Sequence, residues 1–299
     1  MKATMHDANF PKDSSGAVYH IGVKPGEVAN RIVTCGDPIR LRRFATFLDP
    51  SPKPFELVSS RGYTTITGCY KGVPISLIAI GMGVAMVDFL VREVRAVVSG
   101  DLAIVRFGSC GSLSPELPVG SIGVPRNAMT ISTNYAHFHG DESLPPYVFS
   151  PPISSDPKLH QVLVSTLDSA VASSTCKICP TELHASADCF YSSQGRIDPQ
   201  FKDDNADFVP QLLDAAPEVK SLEMETAHLF HLASVARHAK ISAAACHMIF
   251  ADRVGQEFID PLVVAELEPK VGRACLDAII SFPLSDEALH PEEGSVWEI

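Results

Sequence analysis

An α/β fold is predicted by three features of the sequence. Five short β-branched runs fill its first half, several of them ending in glycine. Stretches of helical periodicity sit between and after them, and neither an internal repeat nor a clear linker divides the chain. Strand followed by glycine, repeated, marks the carboxyl edge of an open sheet, where ligands collect in the crevice.

The strand runs come in the order RIVTCG, YTTITGCYKG, PISLIAIG, LAIVRFGSCG and SIGVPRNAMTIS. Between the third and fourth, MVDFLVREVRAVVSG carries apolar residues at helical spacing and ends on Gly100, a residue suited to a helix cap. The stretch HGDESLPPYVFSPPISSDP, rich in proline and serine, reads as a long surface loop. Helical spacing resumes in KLHQVLVSTLDSAVASS and in ETAHLFHLASVARHAK, and ISAAACHMIFAD is a buried strand leading to an acid. Residues 1–17 are polar, lack the apolar core of a secretory signal and are expected to form a mobile tail. Residues 286–299 are expected to be an acidic, solvated tail, leaving 18–285 as the domain.

With 299 residues, 45% of them hydrophobic and 20% charged, the chain can bury a large core. A formal charge of -11 argues against a nucleic-acid or anionic-membrane surface, so any anionic ligand needs a local cluster of arginines. The longest apolar run, Val73 to Val87, is too short to span a bilayer and is broken by Pro74, Gly81 and Gly83. A cytoplasmic protein is expected. Eight scattered cysteines suit reduced core thiols, and CKIC (Cys176–Cys179) has no second pair at zinc-site spacing. GMGVAM fails as a dinucleotide fingerprint, because Met86 fills the third glycine position and Asp101 precedes its strand. His228 with His231, and His137 with His139, lack carboxylates at the spacing of a zinc helix, so no metal is expected.

The arginines are more informative. Arg40 follows CGDP, Arg61 sits in SSRGY, and Arg106 opens RFGSCG. A guanidinium beside a glycine turn with Ser109 offers bidentate bonds and backbone N–H groups to a phosphate or carboxylate. In SLEMETAHLF, Glu223 and Glu225 flank Met224 and lead into apolar residues. Acids there suit a helix start, where the dipole is positive. They also fit a buried site, since buried carboxylates need partners.

In this order CGDPIR, RFGSCG, FYSSQGRID and SLEMETAHLF resemble the nucleoside phosphorylase family that includes uridine phosphorylase, with a match running from about Tyr19 to Arg253. The resemblance implies a single-domain α/β/α sandwich around a mixed, partly barrelled central sheet. It implies a pentosyltransferase that phosphorolyses uridine reversibly to uracil and ribose 1-phosphate in pyrimidine salvage. Inorganic phosphate is then the co-substrate and no cofactor is required. Phosphate would be bound by Gly36, Arg40, Arg106 and Ser109, with Arg61 lent by a neighbouring subunit. Ribose would be held by Glu223, Met224 and Glu225, and by His20 lent in the same way, making the smallest working unit a dimer.

Under the same resemblance Phe190 stacks on the base, Gln194 matches the imide edge of uracil, and Arg196 stabilises charge on its carbonyl oxygens. Arg106, Arg196 and Glu225 become the catalytic set. Three departures stand out. Gly62 replaces the glutamate that helps bind a monovalent cation at the dimer interface of the bacterial uridine phosphorylases. Cys110 replaces a threonine, and Asp252 stands near the position where purine enzymes keep a general acid. A purine nucleoside phosphorylase using Asp252 therefore stays open as an alternative, as does a non-catalytic nucleoside-binding or storage relative.

Overall fold

The computed structural model describes residues 4–285 and 289–298. Met5–His6 (β1) and Lys12–Asp13 (β2) pair as a small antiparallel ribbon, and Lys12 Nζ donates to Ala96 O at 3.2 Å. The described part of the expected N-terminal tail is thus tied to the body of the fold.

All five strand runs form strands: Arg31–Cys35 (β3), then, after Phe55–Val58 (β4), Thr64–Tyr70 (β5), Val73–Ala79 (β6), Leu102–Ser112 (β7) and Ile122–Thr133 (β8). Burial is unbroken along β5 and nearly so along β7, so both faces of these strands are covered. The expected surface loop, residues 139–157, carries two short strands, Tyr147–Phe149 (β9) and Ile153–Ser154 (β10), both antiparallel to β8, and a short helix, Tyr135–His139 (α3), leads into it. Tyr147, buried against Phe208, gives this segment its order.

Three further strands, Ile178–Ala187 (β11), Val219–Glu223 (β12) and Ile241–Asp252 (β13), complete a mixed sheet of 11 strands. β7, β12, β11, β8 and β13 each pair with the next, and β13 returns to β7. That ring makes the sheet partly barrelled, and β3, β6, β5 and β4 extend it as an open wing. Gly108 lets the ring close, since a Cβ there would lie 2.7 Å from the His247 ring on β13.

Helices cover both faces. On one side lie Pro38–Ala45 (α1), Pro157–Val171 (α4) and Pro261–Ser281 (α7), whose Leu41, Phe44, Leu163 and Val271 share a core with Val105 and Phe107. Each begins with Asp-Pro, and the side chains of Asp37, Asp156 and Asp260 accept first-turn backbone N–H groups while proline fills the first helical position. On the other side Val84–Val97 (α2) and Thr226–Val235 (α6) bring Leu90, Val94 and Phe230 against Ile32 and Ile104. Phe208–Ala215 (α5) lies over a separate apolar cluster that includes Ile131 and Leu222. No helix among the described residues is long and apolar enough to cross a membrane.

The C-terminal segment is not simply solvated. Trp297 is buried against Ala29 and Cys69, and Val296 N donates to Gly26 O at 2.9 Å. Residues 286–288 and 299 of that predicted tail lie outside the described residues.

Candidate active site

Four of the segments that line one cavity of about 370 Å³ carry the expected site residues. The β3–α1 turn brings Gly36, Asp37 and Arg40; β7 brings Arg106, Ser109 and Cys110; the turn after β11 brings Phe190, Gln194 and Arg196; and the β12–α6 junction brings Glu223, Met224 and Glu225. Three of these are strand ends at the sheet edge, where the glycine pattern places a crevice.

Arg106 is buried in the middle of β7, where an unpaired guanidinium would be very costly. It donates from Nε to Glu223 Oε2 at 3.2 Å and from Nη2 to Glu225 Oε2 at 2.5 Å, and its Nη1 has no hydrogen-bond partner among the described residues. The two glutamates of SLEMETAHLF divide the work. Glu223 Oε1 accepts the backbone N–H of Glu225 and of Thr226, so it caps α6, and it also accepts Ser186 Oγ. Glu225 faces the cavity and accepts Gly83 N as well as Arg106.

Their ionisation differs accordingly. Burial would raise the Glu223 carboxyl, but His184 at 3.1 Å, then Arg106 and His247, hold it well below the usual range. Burial pushes the Glu225 carboxyl up to about 7 against the pull of Arg106. Burial and the neighbouring His184 keep His247 well below its ordinary value; its ring stacks on His184 at 4.5 Å, and its Nε2 meets Thr226 Oγ1 at 2.8 Å. His184, Glu223 and His247 form a buried cluster of metal-ligand type, but the Glu223 oxygens are taken up by protein donors.

Arg40 leaves α1 beneath the cavity, donates from Nε to the buried Glu268 of α7 at 2.8 Å and lies over the Phe107 ring at 5.1 Å. Arg43 donates to the other oxygen of Glu268. In the turn after β11, Gln194 is buried while Phe190 and Arg196 are partly exposed. Arg196 Nη1 donates to Gln194 Oε1 at 2.7 Å, and its guanidinium lies 3.6 Å from the Phe190 ring centre. Burial, and then Arg253, lower Arg196 to about 10.

Three expected site residues stand apart from the cavity lining. Arg61 lies over the Tyr19 ring at 5.0 Å and donates to the Tyr19 hydroxyl. His20 stacks on Phe89 at 3.7 Å and meets Glu93 at 2.6 Å. Asp252 caps a tight turn, accepting Val254 N at 2.8 Å and Gly255 N at 2.9 Å. Residues the sequence did not flag complete the walls: Asp37, Phe250 and Phe258 line the cavity, and Arg253 Nη2 donates to Gln194 O at 3.0 Å. GMGVAM contributes Gly81 and Met82 to the lining and the Gly83 N–H to Glu225.

The chain as a whole is similar to known proteins. The Phosphorylase superfamily is matched over residues 30–280. The chain belongs to that superfamily. A solved structure from a study of two diverse uridine phosphorylases of the oomycete Phytophthora capsici is 37% identical, with a TM-score of 0.89, covering 94% of this chain and all of the other. The uridine phosphorylase of Thermococcus kodakarensis is 29% identical over 253 residues, 84% of this chain and 83% of its own length. A DeoD-type purine nucleoside phosphorylase of Oceanobacillus iheyensis is 32% identical over 218 residues, 72% of this chain and 80% of its own. Within the superfamily, which uses phosphate as co-substrate, the chain is a pentosyltransferase.

Proposed function

We propose that the chain is a uridine phosphorylase, splitting uridine with phosphate into uracil and ribose 1-phosphate, and reversibly, as a cytoplasmic enzyme of pyrimidine salvage. The observation that carries the reading is the shared cavity: Arg40, Arg106, Glu225 and Gln194 all line it. Phosphate takes the guanidinium end, where the buried Arg106 Nη1 has no partner among the described residues and Ser109 and Gly36 line the same cavity. Glu225 grips the ribose diol with charge-assisted bonds, each worth about 1.5–3 kcal/mol net. Met224 packs on the sugar, and the negative charge of Glu225 favours the oxocarbenium character that develops there. Gln194 pairs with the imide edge and Arg196 draws charge onto the carbonyls as the base departs. The anomeric carbon migrates from base to phosphate between two held partners, so positioning supplies much of the rate.

Two features support pyrimidine over purine. Gln194 and Arg196 form a joined donor and acceptor pair, and Asp252, the candidate acid for a purine, has one oxygen committed to its own turn. The working unit we propose is at least a dimer. Tyr19 touches both the His20 ring and Arg61, so one surface patch offers an imidazole and a guanidinium together to a neighbour's cavity. Arg106, Arg196 and Glu225 are the proposed catalytic residues. The test is base release from uridine, inosine and methylthioadenosine with and without phosphate. Uridine cleavage that requires phosphate is expected; inosine cleavage without uridine cleavage would shift the assignment to purines, and phosphate-independent cleavage would remove phosphorolysis.

A further inference from the structure

The turn that carries Gln194 is held from outside the cavity. Asn205 is buried, and its Nδ2 donates both to Ser192 O at 3.0 Å and to Arg196 O at 2.9 Å. One side-chain amide therefore ties the two ends of the segment whose middle is Gln194. Only a group with two N–H donors on one atom can do this at Asn205's length. Beneath the segment, Gly195 at φ 66° presses on Phe208, where a Cβ would lie 2.8 Å from the ring. Asn205 is anchored in turn. Asp204, at φ 47°, accepts His137 Nε2 at 2.8 Å, the His137 Nδ1 meets Leu144 O at 2.8 Å, and Tyr147 donates to Asp203 O at 2.6 Å. The segment from 134 to 147, which has no residue in the cavity lining, is thereby linked to the residues that read the base.

We infer that Asn205 is a positioning residue for base recognition, acting through Gln194 and Arg196, with the His137–Asp204 pair as its support. The inference rests on the proposed base-reading role of Gln194. An amide that must match the edge of a planar base loses its value when its turn drifts, because a displacement of about 1 Å can cost on the order of a hundredfold. Phosphate, bound at the far end on strand and helix residues, is indifferent to this clamp.

Asn205→Asp tests it at nearly constant volume, placing a carboxylate oxygen against two carbonyls. Expected are a nucleoside KM raised about tenfold or more, an unchanged phosphate KM, and faster hydrogen exchange confined to residues 189–197. Should Asn205→Asp not fold, His137→Ala removes the outer support and should raise the nucleoside KM about threefold, again without moving the phosphate KM. Unchanged nucleoside KM in the folded variant, or equal rises in both KM values, overturns the inference. Gln194→Ala measured alongside separates the layers. If it is impaired and Asn205→Asp is not, the positioning role alone fails; if Gln194→Ala binds nucleoside normally, the base-reading role fails and this inference falls with it.

Discussion

The two ends of the cavity are built differently. The proposed phosphate and ribose end hangs on β7, β12 and α6: Arg106, Glu223 and Glu225 are buried and joined by charged hydrogen bonds within the sheet ring. The proposed base end is a short turn held by backbone carbonyls, with Phe190 46% exposed and Arg196 resting on it. A packed core fixes geometry tightly, whereas a loop on its edge can change without unfolding the domain. Under the proposed roles, such an arrangement places phosphate and ribose binding in the core and the choice of base on the rim.

The largest expected break in that contrast comes from Arg106→Ala. It leaves two buried glutamates without their cation, so stability should fall by about 3–5 kcal/mol and phosphorolysis should be lost. Thermal unfolding together with turnover at raised phosphate measures both. Glu225→Gln keeps shape but removes charge, and kcat/KM for nucleoside should drop about a hundredfold, as expected for about 3 kcal/mol of lost charge-assisted bonding. This variant also addresses pH. A carboxyl whose ordinary value is 4.5 stands at about 7 in the folded protein, so the folded state binds the proton more tightly and stability declines as pH rises from about 4.5 to 7. Over the same window the carboxylate that accepts the diol forms, so kcat/KM for nucleoside should rise with pH at saturating phosphate. Both trends should flatten in Glu225→Gln.

At the rim, Arg196→Ala should cost uridine turnover about tenfold to a hundredfold while leaving the phosphate KM and the melting temperature almost unchanged. An equal loss of phosphate binding would erase the division between core and rim. The smallest effect is expected from Glu268→Gln. The amide oxygen can still accept from Arg40, so the phosphate KM should rise only a fewfold, about 1 kcal/mol, with the nucleoside KM constant.

The sequence made the core end easier to read than the rim. β-branched runs and helical spacing located β3, β5 to β8 and β13, as well as α2, α4 and α6, because those segments bury a regular face. α7 escaped: Pro269 interrupts its pattern, and Leu262 and Val263 near its start are exposed. The arginines and glutamates of the cavity sit in short motifs that can be read locally. Glu268 meets Arg40 across 228 residues, and Asn205 reaches back to Ser192 and Arg196 through side-chain bonds to carbonyls. Neither contact has a sequence period or residue pattern that announces it. Tyr147 and Trp297 show the same limit, since each gives an order to a polar segment that only the folded chain reveals.

A crystal structure with phosphate and uridine bound addresses the central claim most directly. Phosphate is expected on Arg106 Nη1 and Arg40, the ribose diol on Glu225, and the uracil edge on Gln194, all in one cavity. Phosphate bound away from Arg106, or a base lying clear of Gln194 and Arg196, would contradict it.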